Sequence, residues 1–196
     1  VISSMVDAVM LRLSSHEDIV EFSKHSSKPV INALSDESHP CQILADLMTY
    51  QEERGPIQGK KIAWIGDGCN VCQTYMQAAT IFDFVLSIAT PVGYEPSNLF
   101  IQKYQKNVNF FNNPMDACKN ADMVVTDVWT SMGQESEKRQ READFKGYQV
   151  NQIMMNQGKK DAIFMHCLPA YRGVEVSSEV IDGNQSVVWS EAENRL

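Results

Sequence analysis

Residues 161–173, DAIFMHCLPAYRG, set His166 and Cys167 directly after a short apolar run and five residues before Arg172. A thiol at that point is either a packed edge of the core or a group held at the mouth of an active site. TDVWTSMGQE, residues 126–135, puts Asp127 at the end of another apolar run, followed by Ser131, Met132 and Gly133 in a turn. A carboxylate and a hydroxyl beside free backbone amides suit a zwitterion, with Asp127 taking the ammonium and the turn a carboxylate or amine. The plainer alternative is a solvent-facing loop with a capping serine, in which Trp129 and Met132 only pack.

In SHPCQILADLMT, residues 38–49, His39 and Gln42 bracket Pro40, a good first-turn residue because it has no N–H to leave unpaired. Three residues apart, His39 and Gln42 can face one way and grip a carbonyl oxygen and an amine, or they can be ordinary helix-start polarity. Arg12, in VMLRLS, sits on an otherwise apolar strand, where burial without an anion is expensive. Arg195, in SEAENRL, follows the last apolar run. Either arginine can instead be a surface ion pair.

WIGDGCNVCQ, residues 64–73, has the strand, glycine turn and helix start of a dinucleotide-binding fingerprint. Its third glycine would fall at Val71, and the next strand ends SIATP without the acidic residue that holds a ribose. The turn still aims Asn70 and nearby amides above the sheet. Cys69 and Cys72 form a CxxC that could be redox-active at a helix start, but packing is the plainer reading, and a zinc site lacks a second ligand pair.

Strand-length apolar runs at 8–13, 30–34, 62–65, 84–89, 123–128, 162–165 and 187–189 alternate with helical patterns at 16–24, 41–53, 71–81, 96–105 and 135–145. This predicts an α/β fold, a mostly parallel sheet with helices on both faces, because the strands are apolar at consecutive positions. The breakers RGPIQG at 54–59 mark a boundary: residues 1–50 form one α/β unit, and a Rossmann-like unit covers 51–196. In open α/β sheets ligands sit beyond the carboxyl ends of strands, where the residues above fall.

The chain has 196 residues, 43% of them hydrophobic, and a formal charge of −8 with no basic block. An anionic ligand must then be held by a few placed arginines and amides, and nucleic acid is not an expected partner. No stretch is long and apolar enough to suggest a membrane span. Five cysteines, an odd number, read as reduced thiols in a cytoplasm. The Val1 start and the Leu196 end, with no closing helix, lead to the expectation that the sequence is part of a longer chain.

The order of His39-Pro40-Cys41-Gln42, the GDGCN turn with Asn70, Asp127-Val128-Trp129-Thr130-Ser131-Met132-Gly133, His166-Cys167-Leu168-Pro169 and Glu193-Asn194-Arg195 resembles the ornithine carbamoyltransferases over essentially the whole length. The resemblance implies transfer of the carbamoyl group of carbamoyl phosphate to the δ-amine of L-ornithine, giving L-citrulline and phosphate, without metal or organic cofactor. It assigns Arg12, His39, Gln42, Arg195 and the Leu168 backbone to carbamoyl phosphate. Asn70, Asp127, Ser131 and Met132 go to ornithine, and Cys167 lies beside the reacting amine. Cys167, Asp127, His39 and Arg195 are the implied catalytic group. It also implies a homotrimer in the cytoplasm, and a second α/β domain whose Ser-Thr-Arg-Thr phosphate loop belongs upstream of Val1. Cys69 stands where the family usually has asparagine. A nicotinamide-dependent dehydrogenase and a catalytically incomplete binding fragment are the competing readings.

Overall fold

The computed structural model describes residues 1–130 and 135–196. The first part has two parallel strands, β1 (Val9–Arg12) and β2 (Val30–Leu34), joined through helix α1 (His16–His25). Ser15 caps α1 by accepting from the Asp18 amide, and Glu17 and Asp18 suit the positive end of its dipole. After β2 comes α2 (Pro40–Arg54), which begins on Pro40 as expected and ends at Gly55.

The second part is a five-stranded, wholly parallel sheet built from β3 (Lys61–Ile65), β4 (Val85–Ala89), β5 (Val108–Phe111), β6 (Met123–Thr126) and β7 (Ile163–His166). Its order is β5-β4-β3-β6-β7, so the chain reverses direction across the sheet between β3 and β6. The connecting helices are α3 (Asn70–Phe82), α4 (Asn98–Tyr104), α5 (Pro114–Cys118), α6 (Lys138–Asp144) and α7 (Gln152–Met155), with α8 (Ser178–Ile181) and α9 (Val188–Glu193) after β7.

The apolar strands are explained by cover on both faces. On β3, Ile62 and Trp64 point into one core with Tyr75 and Met76 of α3, while Ala63 and Ile65 point into the other with Ala117 and Cys118 of α5. Each fully buried isoleucine or methionine here contributes roughly 1.5–3 kcal/mol. Ile43, Leu47 and Tyr50, spaced along one face of α2, join the first of these cores. Thus α2 packs into the same apolar mass as α3.

The order of elements and the parallel sheet follow the sequence reading, with differences at particular places. The 187–189 run is not a strand but the start of α9: Val188 and Glu191, three apart, are both buried, while Trp189 between them is 67% exposed. Arg195 therefore follows a helix. Strand β6 stops at Thr126, two residues short of the expected end, which leaves Asp127 beyond the sheet. Strand β5, VNFF, is an additional edge strand with no fully buried residue, so it carries no continuous apolar run.

The β3–α3 turn is closed by packing. The Trp64 indole donates to the Asp67 carbonyl at 2.9 Å, and the Gly68 amide donates to the Tyr94 carbonyl at 2.8 Å. A Cβ on Gly68 would stand 2.3 Å from the Pro96 nitrogen and 2.5 Å from the Glu95 carbonyl carbon. The loop at 94–96 thus packs against the second glycine of the turn, where a dinucleotide-binding fingerprint lets the pyrophosphate approach, and this argues against the dinucleotide reading.

Because those neighbours are backbone atoms, Gly68→Ala must move a loop rather than a side-chain tip. It is expected to lower stability by about 1–3 kcal/mol, read from the urea midpoint at unchanged m-value.

Candidate active site

The carboxyl ends of β1, β3, β6 and β7 surround a cavity of about 630 Å³. Arg12, His39, Asn70, Asp127, Cys167, Leu168 and Arg195 all line it. Of the other expected residues, Gln42 is buried outside its lining, and Ser131 and Met132 lie outside the described residues.

On one wall, the Cys167 thiol donates to Asp127 Oδ1 at 3.0 Å, and the Val128 amide donates to the same oxygen at 2.7 Å. The Cys69 thiol lies 3.8 Å from Asp127 Oδ2. A carboxylate that receives these donors is fixed as an acceptor facing the cavity. Burial first, and then the Asp127 charge and the hydrogen bond to it, push the Cys167 thiol well above its usual range. Cys167 is therefore a neutral donor, not a thiolate nucleophile.

His166 shapes the turn that presents Cys167. Its Nδ1 accepts from the Leu168 amide at 3.0 Å, which leaves Nε2 as the protonated nitrogen, facing Glu175 Oε1 at 3.2 Å. Leu168 takes the left-handed conformation, φ 52°, which a branched side chain adopts only when its surroundings hold it there. One ligand atom each from Asp127, His166 and Cys167 falls within 4.8 Å of the others. With both imidazole nitrogens engaged, His166 has no lone pair free for a metal.

The opposite wall is cationic. Arg12 and Arg195 have no carboxylate within ion-pair distance among the described residues. Between them stands His39, 4% exposed, whose backbone amide donates to Thr74 Oγ1 at 2.8 Å and whose Nδ1 is buried without a partner. Burial, followed by the charges of Arg195 and Arg12, pushes its imidazole down to about 4, so it is neutral at pH 7. Two guanidinium groups and a neutral imidazole facing one space form an anion site that can also donate to a carbonyl oxygen.

Two expected contacts take a different form. Gln42 Oε1 accepts from Arg195 Nη1 at 2.7 Å, while its Nε2 donates to Asp46 Oδ1 at 2.8 Å and Glu191 Oε1 at 2.9 Å. It reaches the cavity only through Arg195. Asn70 does line the cavity, but its Nδ2 donates to the Ser35 carbonyl at 2.6 Å and its Oδ1 accepts from the Val71 amide at 2.9 Å, tying the α3 start to the loop after β2.

Asp67 and Arg141 also line the cavity and were not singled out in the sequence. They form a buried pair at 2.6 Å, and Arg141 Nη1 also donates to the Trp129 carbonyl at 2.8 Å. The Arg141 guanidinium stacks over Tyr94, 4.8 Å from its centroid. Arg141 lies in the charged run EKRQRE, where nothing separates it from a solvated face.

A family model described as the Asp/Orn binding domain of aspartate/ornithine carbamoyltransferase matches residues 58–196, and one for the carbamoyl-P binding domain matches residues 1–52. The chain is 60% identical over all 196 residues to a protein named ornithine carbamoyltransferase from Ruthia magnifica subsp. Calyptogena magnifica, covering 66% of that protein. It is 59% identical to one of the same name from Nitrosococcus oceani, covering 64% of it. The structure of ornithine carbamoyltransferase from Pyrococcus furiosus matches with a TM-score of 0.94 and 46% identity, over 100% of this chain and 64% of that one. The anabolic ornithine carbamoyltransferase from Campylobacter jejuni matches with a TM-score of 0.94 and 41% identity, over 100% and 67%. The chain thus spans just under two thirds of the length of the curated relatives named here.

The charges on the two walls have separable readouts. Iodoacetamide is expected to modify Cys167 slowly at pH 7, and Asp127→Asn, by removing the adjacent negative charge, to speed that modification about tenfold, followed by peptide mass spectrometry. The His39 imidazole is expected to titrate near 4 by NMR. Arg195→Gln should raise that midpoint, because a cation that disfavours imidazolium is gone.

Proposed function

Since the chain belongs to the aspartate/ornithine carbamoyltransferase family, we propose that its protein transfers the carbamoyl group of carbamoyl phosphate to the δ-amine of L-ornithine, giving L-citrulline and phosphate. The observation that carries this reading is the pairing of two opposed walls. Two arginines with no carboxylate partner among the described residues and a neutral His39 line one cavity with an Asp127 carboxylate hydrogen-bonded to Cys167. The names of the relatives at 60% and 59% identity support ornithine as the acceptor.

Each residue then has a chemical task. Arg12 and Arg195 hold the phosphate, and neutral His39 donates to the carbonyl oxygen, where charge grows as the amine attacks. An alkyl ammonium of lysine type, with pKa about 10.4, cannot attack until it loses a proton. Asp127 accepts from that amine and orients it, and Cys167, as a donor to Asp127, fixes the carboxylate's rotamer. The new C–N bond forms, and the C–O bond breaks with its electron pair leaving on phosphate, which takes up the proton that the amine gives up. The Leu168 backbone, presented by the His166-braced turn, borders the carbamoyl group. Asn70, Ser131 and Met132 take the ornithine backbone. Residues 1–50 serve carbamoyl phosphate and 51–196 serve ornithine, a division favoured by the separate sheets. We place the protein in arginine biosynthesis, as a cytoplasmic homotrimer. The free state of all five cysteines favours a reducing compartment, while the trimer rests on family resemblance. No helix among the described residues is long and apolar enough to cross a membrane.

The test is citrulline formation by the native protein. L-ornithine is expected to exceed putrescine and N-acetylornithine by at least about 100-fold in kcat/KM, since each analogue leaves a polar partner unmatched. Asp127→Asn is expected to lower kcat/KM for ornithine about 100-fold, roughly 2.7 kcal/mol, while KM for carbamoyl phosphate stays within about twofold. Equal use of putrescine would overturn the assignment of the acceptor.

A further inference from the structure

Behind the cationic wall lie two carboxyl groups that the mechanism above does not use. Asp46 on α2 and Glu191 on α9 are each 1% exposed. All four of their oxygens accept hydrogen bonds from uncharged donors. The Tyr75 hydroxyl donates to Asp46 Oδ2 at 2.6 Å, and the His166 amide donates to Glu191 Oε2 at 2.9 Å. The remaining oxygen of each accepts from one and the same nitrogen, Gln42 Nε2. Neither carboxyl has an ion-pair partner among the described residues. Two full negative charges on one amide nitrogen, away from water, repel strongly, and the arrangement is relieved if one proton remains.

The orientation of Gln42 follows from that charge. An amide facing anionic oxygens turns its NH2 end toward them, so its carbonyl end faces away, and here it meets Arg195 Nη1 at 2.7 Å. If both carboxyls were neutral, only the Arg195 donor would favour this orientation over its flip, in which the amide would present N–H to the guanidinium. Glu191 at the same time anchors the His166 amide, one residue before Cys167. The pair thus touches both walls at one remove.

We propose that Asp46 and Glu191 share a single proton directly between their carboxyl groups, beside Gln42, and that this one-proton pair is a positioning device that sets Arg195 against carbamoyl phosphate. The proposal rests on the carbamoyl-transfer reading of the cavity. Burial is the first cause raising both groups, Asp46 to about 6 and Glu191 well above the carboxylate range, with the Asp46 charge next for Glu191. Glu191 keeps the proton, and Asp46 carries the charge, aided by its hydrogen bonds from Tyr75 and Gln42. The ionisable groups facing the pair are Tyr75 from α3, His166 and Cys167 at the end of β7, Asp127 beyond β6, and Arg195 beyond α9. Tyr75 is pushed well up, so it remains a donor throughout. As pH falls through about 6, Asp46 takes up a second proton and the hold on Arg195 loosens.

Two measurements on the native protein test this. Infrared spectroscopy at pH 7 is expected to show the carbonyl stretch of a protonated carboxyl group that disappears in Glu191→Gln. No band in the wild type, or a band unchanged in the variant, overturns the shared proton. The KM for carbamoyl phosphate is expected to rise toward acid with a midpoint near 6. Glu191→Gln replaces the acid proton that Glu191 gives to Asp46 with a weaker amide N–H, so that midpoint should move at least about half a unit toward neutral pH. An unmoved midpoint overturns the positioning role, because ionisation of the substrate itself would be the same in both proteins. If Glu191→Gln does not fold, Asp46→Asn replaces it, and it must abolish the same limb. The infrared result does not depend on turnover: a band present in a protein that forms no citrulline would refute the functional reading and leave the shared proton standing.

Discussion

A guanidinium that must meet an anionic substrate cannot be held by a carboxylate, or the site would be filled by its own counter-ion. Arg195 is held instead by a neutral carbonyl, Gln42 Oε1, and the buried carboxyl groups of Asp46 and Glu191 stand one side chain further back. That arrangement joins α2, α3, α9 and the end of β7 at one point, through Gln42, Tyr75, Glu191 and the His166 amide. The cavity depends on it, since one wall is carried by the two-stranded part and the segment after α9, and the other by the five-stranded sheet.

The sheet supplies the second condition. Parallel strands end on the same side, and the reversal between β3 and β6 leaves a gap there that no connection crosses. Asp127 and the Gly66–Asn70 turn flank this gap, with Cys167 one strand further. Asp127 is paired with thiol and amide donors rather than a cation, so its charge remains available to an amine. The Asp67–Arg141 pair is the contrasting case. There the charges neutralise each other, and Arg141 braces the Trp129 carbonyl instead of meeting a ligand. In a chain with a net charge of −8, Arg12 and Arg195 thereby bring unpaired positive charge to the cavity.

Much of this was legible in the residues. Strands covered on both faces are apolar at most positions, so β3, β4, β6 and β7 stood out, and the polar residues that follow them pointed to the cavity. Strand β5 did not, because an edge strand needs no continuous apolar run. The 187–189 run misled because three apolar or bulky residues fit a strand or a helix equally well until Glu191 is known to be buried with Val188. Asp127, Cys167, His39, Arg12 and Arg195 were singled out by type and place, and all five line the cavity. The task of Gln42 was hidden, because its partners Glu191 and Arg195 lie 149 and 153 residues away. Nothing in the sequence set Asp46 and Glu191 apart, since only tertiary packing removes them from water.

The closure of the β3–α3 turn by Pro96 bears on what this scaffold can become. Topology and the first glycines match those of nucleotide-binding sheets, so restoring the third glycine at Val71 looks like a short route to a cofactor site. It is not, because the space belongs to the 94–96 loop, whose backbone lies against Gly68. A designer, or a lineage drifting by single substitutions, would have to rebuild that loop before any change at Val71 mattered. The two uses of the same sheet are separated by a rearrangement of main chain, which point mutation does not cross.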